Sequence, residues 1–141
     1  MFSANSRFLV VDDSKVSRDL VRVGLQSLSL RNLDEAVNGK DGWDKILKSV
    51  ESQNPYALIF CDINMPEIDG LKLLEMIRNN PKTATQPVLI ITTEGEKQMV
   101  IKAVMSGVSG YMVKPFGIED VKNKVQELYG RLSTEYRGSA V

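Results

Sequence analysis

Short, wholly apolar runs punctuate the chain at residues 8–11 (Phe-Leu-Val-Val), 56–61 (Tyr-Ala-Leu-Ile-Phe-Cys) and 88–91 (Val-Leu-Ile-Ile), each followed at once by polar residues. Runs of this length without alternation are what strands buried on both faces of a sheet require. Two weaker segments, 32–36 and 111–113, bring the candidate strands to five. Between them apolar residues recur at helical spacing: Val16, Leu20 and Val23; Trp43, Ile46, Leu47 and Val50; Leu74 and Ile77; Met99, Val100, Ala103 and Val104; Ile118, Val121, Val125, Leu128 and Leu132. Each set lines one face of a helix. Strand and helix therefore alternate five times, which predicts an α/β domain with a parallel sheet, helices on both faces and right-handed crossovers. The periodicity is lost over residues 133–141, which read as a frayed tail.

With 141 residues the chain has the size of one domain. Folding a chain of that length buries about two-thirds of its extended surface, enough for a core without staples. Hydrophobic residues at 43% and charged residues at 26% are ordinary globular usage, which excludes wholesale disorder. Lys plus Arg (18) equals Asp plus Glu (18), so no overall field draws nucleic acid or an anionic membrane. No apolar run approaches the ~18 residues of a membrane span. The four apolar residues before Asp12 are also too few for a signal peptide. A single cysteine, Cys61, excludes an intramolecular disulfide and any CxxC motif. Together these features lead us to expect a cytoplasmic protein.

There is no histidine. That removes Ser-His-Asp triads, Cys-His pairs, His-bearing zinc sites and histidine bases at once. Chemistry is left to carboxylates, Lys, Ser/Thr and Tyr. In open α/β sheets ligands sit beyond the carboxyl ends of the strands. The residues that follow the candidate strands are Asp12 and Asp13, Asp62, Thr92 and Thr93, and Lys114. Singly, each has a plain structural explanation. Asp13 or Ser14 suits a helix cap; Asp62 can open the turn that runs through Asn64 to Gly70; Lys114 can be a solvated side chain. Together, three acids against one lysine leave a rim charge of about −2, costly unless a cation or proton intervenes. Mg2+ fits, since it takes one or two carboxylates, waters and phosphate oxygens. Asp62 is then free to act as a nucleophile toward phosphorus, with Lys114 and Thr92 binding phosphoryl oxygens.

These residues carry a resemblance. Val10-Val11-Asp12-Asp13-Ser14, Asp62-Ile63-Asn64-Met65-Pro66 with Asp69-Gly70, Ile91-Thr92-Thr93, and Gly110-Tyr111-Met112-Val113-Lys114-Pro115-Phe116 are similar, in order and spacing, to the motifs of receiver domains of two-component response regulators. The similarity spans residues 7–132, with 133–141 left as a short C-terminal tail. Residues 94–116 resemble the chemotaxis branch in particular, whose members are often this domain alone.

The resemblance implies a flavodoxin-like (βα)5 fold of strand order 2-1-3-4-5. It implies that Asp62 accepts a phosphoryl group from a histidine kinase, that Asp12, Asp13, Asp62 and the Asn64 backbone carbonyl hold Mg2+, and that Thr92 and Lys114 bind the phosphoryl group. Thr92 and Tyr111 match the family's switch pair, and Lys114-Pro115 matches a peptide bond that is often cis there. Asn64 and Glu94, two residues past Asp62 and Thr92, are expected to tune how long the phosphate lasts. Output is expected through a face made by the fourth helical stretch, the fifth strand and the fifth helix (98–106, Tyr111 and 118–126). Its target is a protein partner, with a flagellar motor component among the candidates. The expected state is a monomeric, membrane-free signalling switch, not a turnover enzyme.

Two alternatives have sequence tests. Haloacid-dehalogenase-like phosphatases also use an aspartyl phosphate, Mg2+, Thr/Ser and Lys, but their nucleophile follows the first strand in an Asp-x-Asp-x-Thr motif. Asp12-Asp13-Ser14-Lys15-Val16 lacks its second Asp and its Thr. A receiver cut from a larger regulator is the other; nothing after Leu132 resembles an output domain.

Overall fold

The computed structural model describes residues 2–93, 102, 104 and 107–139, with side chains to Leu132. Its elements are β1 (Phe8–Val11), α1 (Lys15–Gln26), β2 (Leu33–Ala36), α2 (Gly39–Glu51), β3 (Leu58–Asp62), α3 (Gly70–Asn79), β4 (Val88–Thr93), β5 (Gly110–Lys114) and α4 (Ile118–Ser139). The strands form one parallel sheet of order β2-β1-β3-β4-β5. Element order and sheet are those expected. The fourth helical stretch lies outside the described residues except for Lys102 and Val104, and Glu94 lies outside them too. In this numbering α4 is the fifth stretch.

The apolar runs are unbroken because neighbouring side chains point to opposite faces of the sheet, and both faces are covered. Leu9, Val11, Ile59, Cys61, Val88 and Ile90 pack with Ile46 of α2 and Leu73, Leu74 and Ile77 of α3. Phe8, Val10, Leu58, Phe60, Leu89, Ile91 and Met112 pack with Val21 and Leu25 of α1 and Val121, Val125 and Leu128 of α4. Trp43 lies partly buried against the first layer, so it belongs to the core. Cys61 is fully buried there as a small apolar side chain, its thiol pKa pushed up by burial. β2 and β5 are the sheet's edges and only partly buried, which is why their sequences gave the weaker signals.

Boundaries shift in a consistent direction. The run at 56–61 becomes a strand over Leu58–Asp62, while Tyr56 is buried ahead of it with its hydroxyl donating to Asp34 Oδ2 at 2.6 Å. β4 extends through Thr93 and β5 through Lys114. Asp62, Thr92, Thr93 and Lys114, expected just after the strands, are thus the strands' own last residues, whereas Asp12 and Asp13 do follow β1. Ladder hydrogen bonds are made by the backbone and continue past the point where side chains turn polar. The same holds for α4, whose backbone stays helical to Ser139, beyond Leu132 where the apolar spacing ends.

Candidate functional site

The strand ends assemble the rim. At the end of β1, the fully buried Asp12 is held by its N–H, which donates to the Ala36 carbonyl at 3.1 Å, and by its Oδ1, which accepts from the Ser14 N–H at 2.8 Å. Ser14, not Asp13, caps α1, accepting from the Ser17 N–H at 3.3 Å. Asp13 is therefore left exposed at the rim.

Asp62, the last residue of β3, is 3% exposed, and its Oδ1 accepts from the Asn64 N–H at 3.2 Å. The turn that follows closes tightly: the Gly70 N–H donates to the Ile63 carbonyl at 2.9 Å. A Cβ on Gly70 would stand 2.3 Å from the Asp62 carbonyl oxygen, so only glycine lets α3 start this close to the acidic strand end. Asp69 caps that helix, accepting from the Lys72 N–H at 2.8 Å.

From β5, Lys114 brings its ammonium 3.2 Å from Asp12 Oδ2 and 3.3 Å from Asp62 Oδ2, with 23% of its side chain exposed. The Lys114–Pro115 bond is cis. Thr92 on β4 is 1% exposed, one position past Ile91, the register partner of Asp62, and its hydroxyl donates to the Thr93 carbonyl at 3.3 Å. Tyr111 on β5 is 43% exposed, and its ring lies 5.5 Å from the Lys124 ammonium of α4. The Asn64 side chain points to solvent.

Asp12, Asp13 and Asp62 each offer one oxygen, all within 4.8 Å of one another. Burial, and after it the charge of Asp12, pushes the Asp62 carboxyl up to about 6 despite the opposing pull of Lys114 and the Asn64 N–H. Burial also works against the Lys114 ammonium, but the two carboxylates outweigh it and leave the pKa above the ordinary lysine range. Asp12 Oδ2 is buried and accepts no hydrogen bond, Lys114 standing near it out of alignment. A buried acceptor left unsatisfied costs about 1 to 3 kcal/mol. A hard divalent cation bound by oxygen ligands would relieve both that deficit and the carboxylate repulsion. On this test the residues fit Mg2+.

The structure brings together Asp12, Asp13, Asp62 and Lys114 and sets Thr92 on the adjoining strand. Tyr111 is turned outward and away from them. One participant was not foreseen. Arg18 of α1 donates from Nη1 to the Asp12 carbonyl at 2.8 Å. Nothing in a lone arginine one turn into a helix signals such a contact before the fold is known.

The sequence profile of the response regulator receiver domain matches residues 8–126. The chain belongs to that family. It is similar to a chemotaxis protein CheY homolog of Campylobacter jejuni, 36% identical over 129 residues, spanning 92% of this chain and 96% of the relative. Among solved structures it resembles the chemotaxis response regulator CheY4 of Vibrio cholerae (27% identity, TM-score 0.76, 87% of this chain and 98% of that one). A two-component response regulator from Clostridium difficile is comparably similar (28% identity, TM-score 0.76, 90% and 98%). Fold and family thus agree with the resemblance read from the motifs, and CheY-like receivers are switch proteins rather than turnover enzymes.

Proposed function

We propose that this receiver is a phosphorylation-activated switch in chemotaxis or motility control, with Asp62 as acceptor and a histidine kinase's phosphohistidine as donor. The observation that carries the reading is that Asp12 and Asp62 are the buried carboxylates shared by the acidic cluster and the Lys114 ammonium, and that of the two Asp62 is the one whose strand adjoins the strand carrying Thr92. An Asp62 carboxylate oxygen attacks phosphorus, the P–N bond to the donor imidazole breaks, and its electron pair leaves with the imidazole nitrogen. Asp12, Asp13, Asp62 and the Asn64 carbonyl would hold Mg2+. Bound there, Mg2+ supplies charge neutralisation and orients the phosphoryl oxygens. Lys114 and the Thr92 hydroxyl bind the transferred group, and Asn64 and Glu94 flank the path of the water that later removes it.

Output follows from a local charge event acting on a two-state element. The phosphoryl group draws the Thr92 hydroxyl inward, and Tyr111 leaves its exposed position beside Lys124 to follow. The surface that changes is that of Tyr111, residues 118–126 and the 98–106 stretch, and its target is a protein partner. The likeness to a chemotaxis protein supports a flagellar motor component as that target. The functional unit is residues 7–132, acting as a monomer in the cytoplasm. No helix among the described residues is long and apolar enough to cross a membrane.

The test is intact mass after incubation with Mg2+ and a small phosphodonor. Wild type gains one phosphoryl group and Asp62→Asn gains none at that rate; equal labelling of both would exclude Asp62.

A further inference from the structure

The cluster's two first-strand carboxylates are held very differently. Asp12 is pinned at three atoms: N–H to the Ala36 carbonyl, Oδ1 to the Ser14 N–H, and its own carbonyl to Arg18. Asp13 is exposed, and its side chain makes no hydrogen bond or ion pair among the described residues. With no side-chain partner, only the backbone fixes the origin and direction of its Cα–Cβ bond, and so which positions its carboxylate can reach. The peptide plane that leads into Asp13 contains the Asp12 carbonyl, so whatever holds that oxygen fixes the plane.

What holds it is a charge-assisted relay from the sheet edge. The Arg18 guanidinium is planar and presents several donors in a rigid fork. Nη1 takes the Asp12 carbonyl at 2.8 Å and Nε takes Glu35 Oε1 at 3.1 Å. Glu35 sits on β2 as the register partner of Val10, and its Oε2 accepts from Arg22 Nη2. The Arg18 side chain is 13% exposed, so the fork is walled in rather than waving in solvent.

We infer that Arg18 is a positioning residue for the cation site: through the Asp12 carbonyl, braced on Glu35, it aims the otherwise unheld Asp13 carboxylate into the cluster with Asp12 and Asp62. The inference rests on the proposal that this cluster binds Mg2+.

Charge and position make opposite predictions here. Removing a cation beside an acidic cluster should, by Coulomb attraction alone, tighten Mg2+ binding. Removing a positioning contact should weaken it, by about tenfold for a partner that orients a metal ligand. Calorimetric titration of Mg2+ into the full chain, without phosphodonor, reads the difference directly. Wild type and Asp13→Asn come first: an absent wild-type signal, or equal binding by the two, overturns the site itself. With those in order, Arg18→Gln is expected to bind about tenfold more weakly, and tighter or unchanged binding overturns the positioning role. A merely structural arginine would lower the thermal midpoint and leave Mg2+ affinity alone. If Arg18→Gln does not fold, Arg18→Lys decides. It keeps the charge but not the fork, so weaker binding supports the inference and equal binding defeats it.

Discussion

Asp62 shows how one residue can be costly to the fold and necessary to the site. Its carboxyl, pushed up to about 6 by burial and by Asp12, binds its proton more tightly in the folded chain than in the unfolded one. The stability it contributes is fully present below the unfolded value near 4 and is lost as pH rises through about 6. In metal-free buffer at pH 7.5, Asp62→Asn should therefore be more stable than wild type by on the order of 1 kcal/mol, about 3 °C in thermal midpoint. The gap should narrow to about half by pH 5. Glu35, held below the usual carboxylate range chiefly by its hydrogen bond from Arg22, and Asp41, held there by Lys45, stay ionised over that window and do not confuse it. Thermal melts at the two pH values check this; a wild type equal to the variant at pH 7.5 would contradict it. Lys114 makes a second test. Its ammonium reaches two carboxylates as a point charge, a placement the planar fork of arginine does not reproduce. Lys114→Arg should still be phosphorylated, as read by intact mass, while the NMR shift of the Tyr111 ring on phosphorylation disappears.

At the scale of elements, close approaches decide as much as apolar faces. α1 crosses α4 at Gly24, where a Cβ would stand 2.5 Å from Val121 Cγ1 and 2.6 Å from its Cβ. Alanine is the better helix former by about 1 kcal/mol, yet the clash falls on a branched side chain near its root, which cannot swing aside. Gly24→Ala should destabilise by about 1 to 3 kcal/mol, read as a lower denaturant midpoint at unchanged slope. The N-terminal segment is a second case. Phe2 packs edge-on against both Phe8 and Tyr129, with ring centroids 5.3 and 5.2 Å away, and Asn32 Nδ2 donates to the Ala4 carbonyl at 3.0 Å. Phe2→Ala should lower the midpoint by loss of partly buried aromatic area, on the order of 1 kcal/mol, without altering Mg2+ affinity.

Across the whole molecule, site and output face are joined by the sheet: Asp62 pairs with Ile91, Thr92 with Val113, and Tyr111 with Ile90. A ligand at the site can shift a distant surface only by its differential stabilisation of the two states, typically about 1 to 3 kcal/mol. A graded response is expected, with partial activity before phosphorylation. Amide NMR with a phosphoryl mimic should move Tyr111 and residues 98–106 as well as the loops around Asp62; shifts confined to those loops would defeat the route.

The order of elements, the two-sided burial of three central strands and the convergence of Asp12, Asp13, Asp62 and Lys114, with Thr92 on the adjoining strand, were legible in the chain, because burial leaves periodic marks and strand ends in such folds share one rim. Where strands ended was not, since the backbone ladder runs on through Asp62, Thr93 and Lys114 regardless of side-chain polarity. Nor was the assignment of Ser14 as cap and Asp13 as the free acid, which neighbouring residues of equal capping propensity leave open. Arg18 was silent for a deeper reason. Its contacts with Asp12 and Glu35 join α1 to two strands, and a charge has no periodicity to announce which carbonyl it will meet. The outward position of Tyr111 belongs to the same class. Local sequence sets which face a residue occupies, but only the packed assembly decides where a long polar side chain on that face comes to rest.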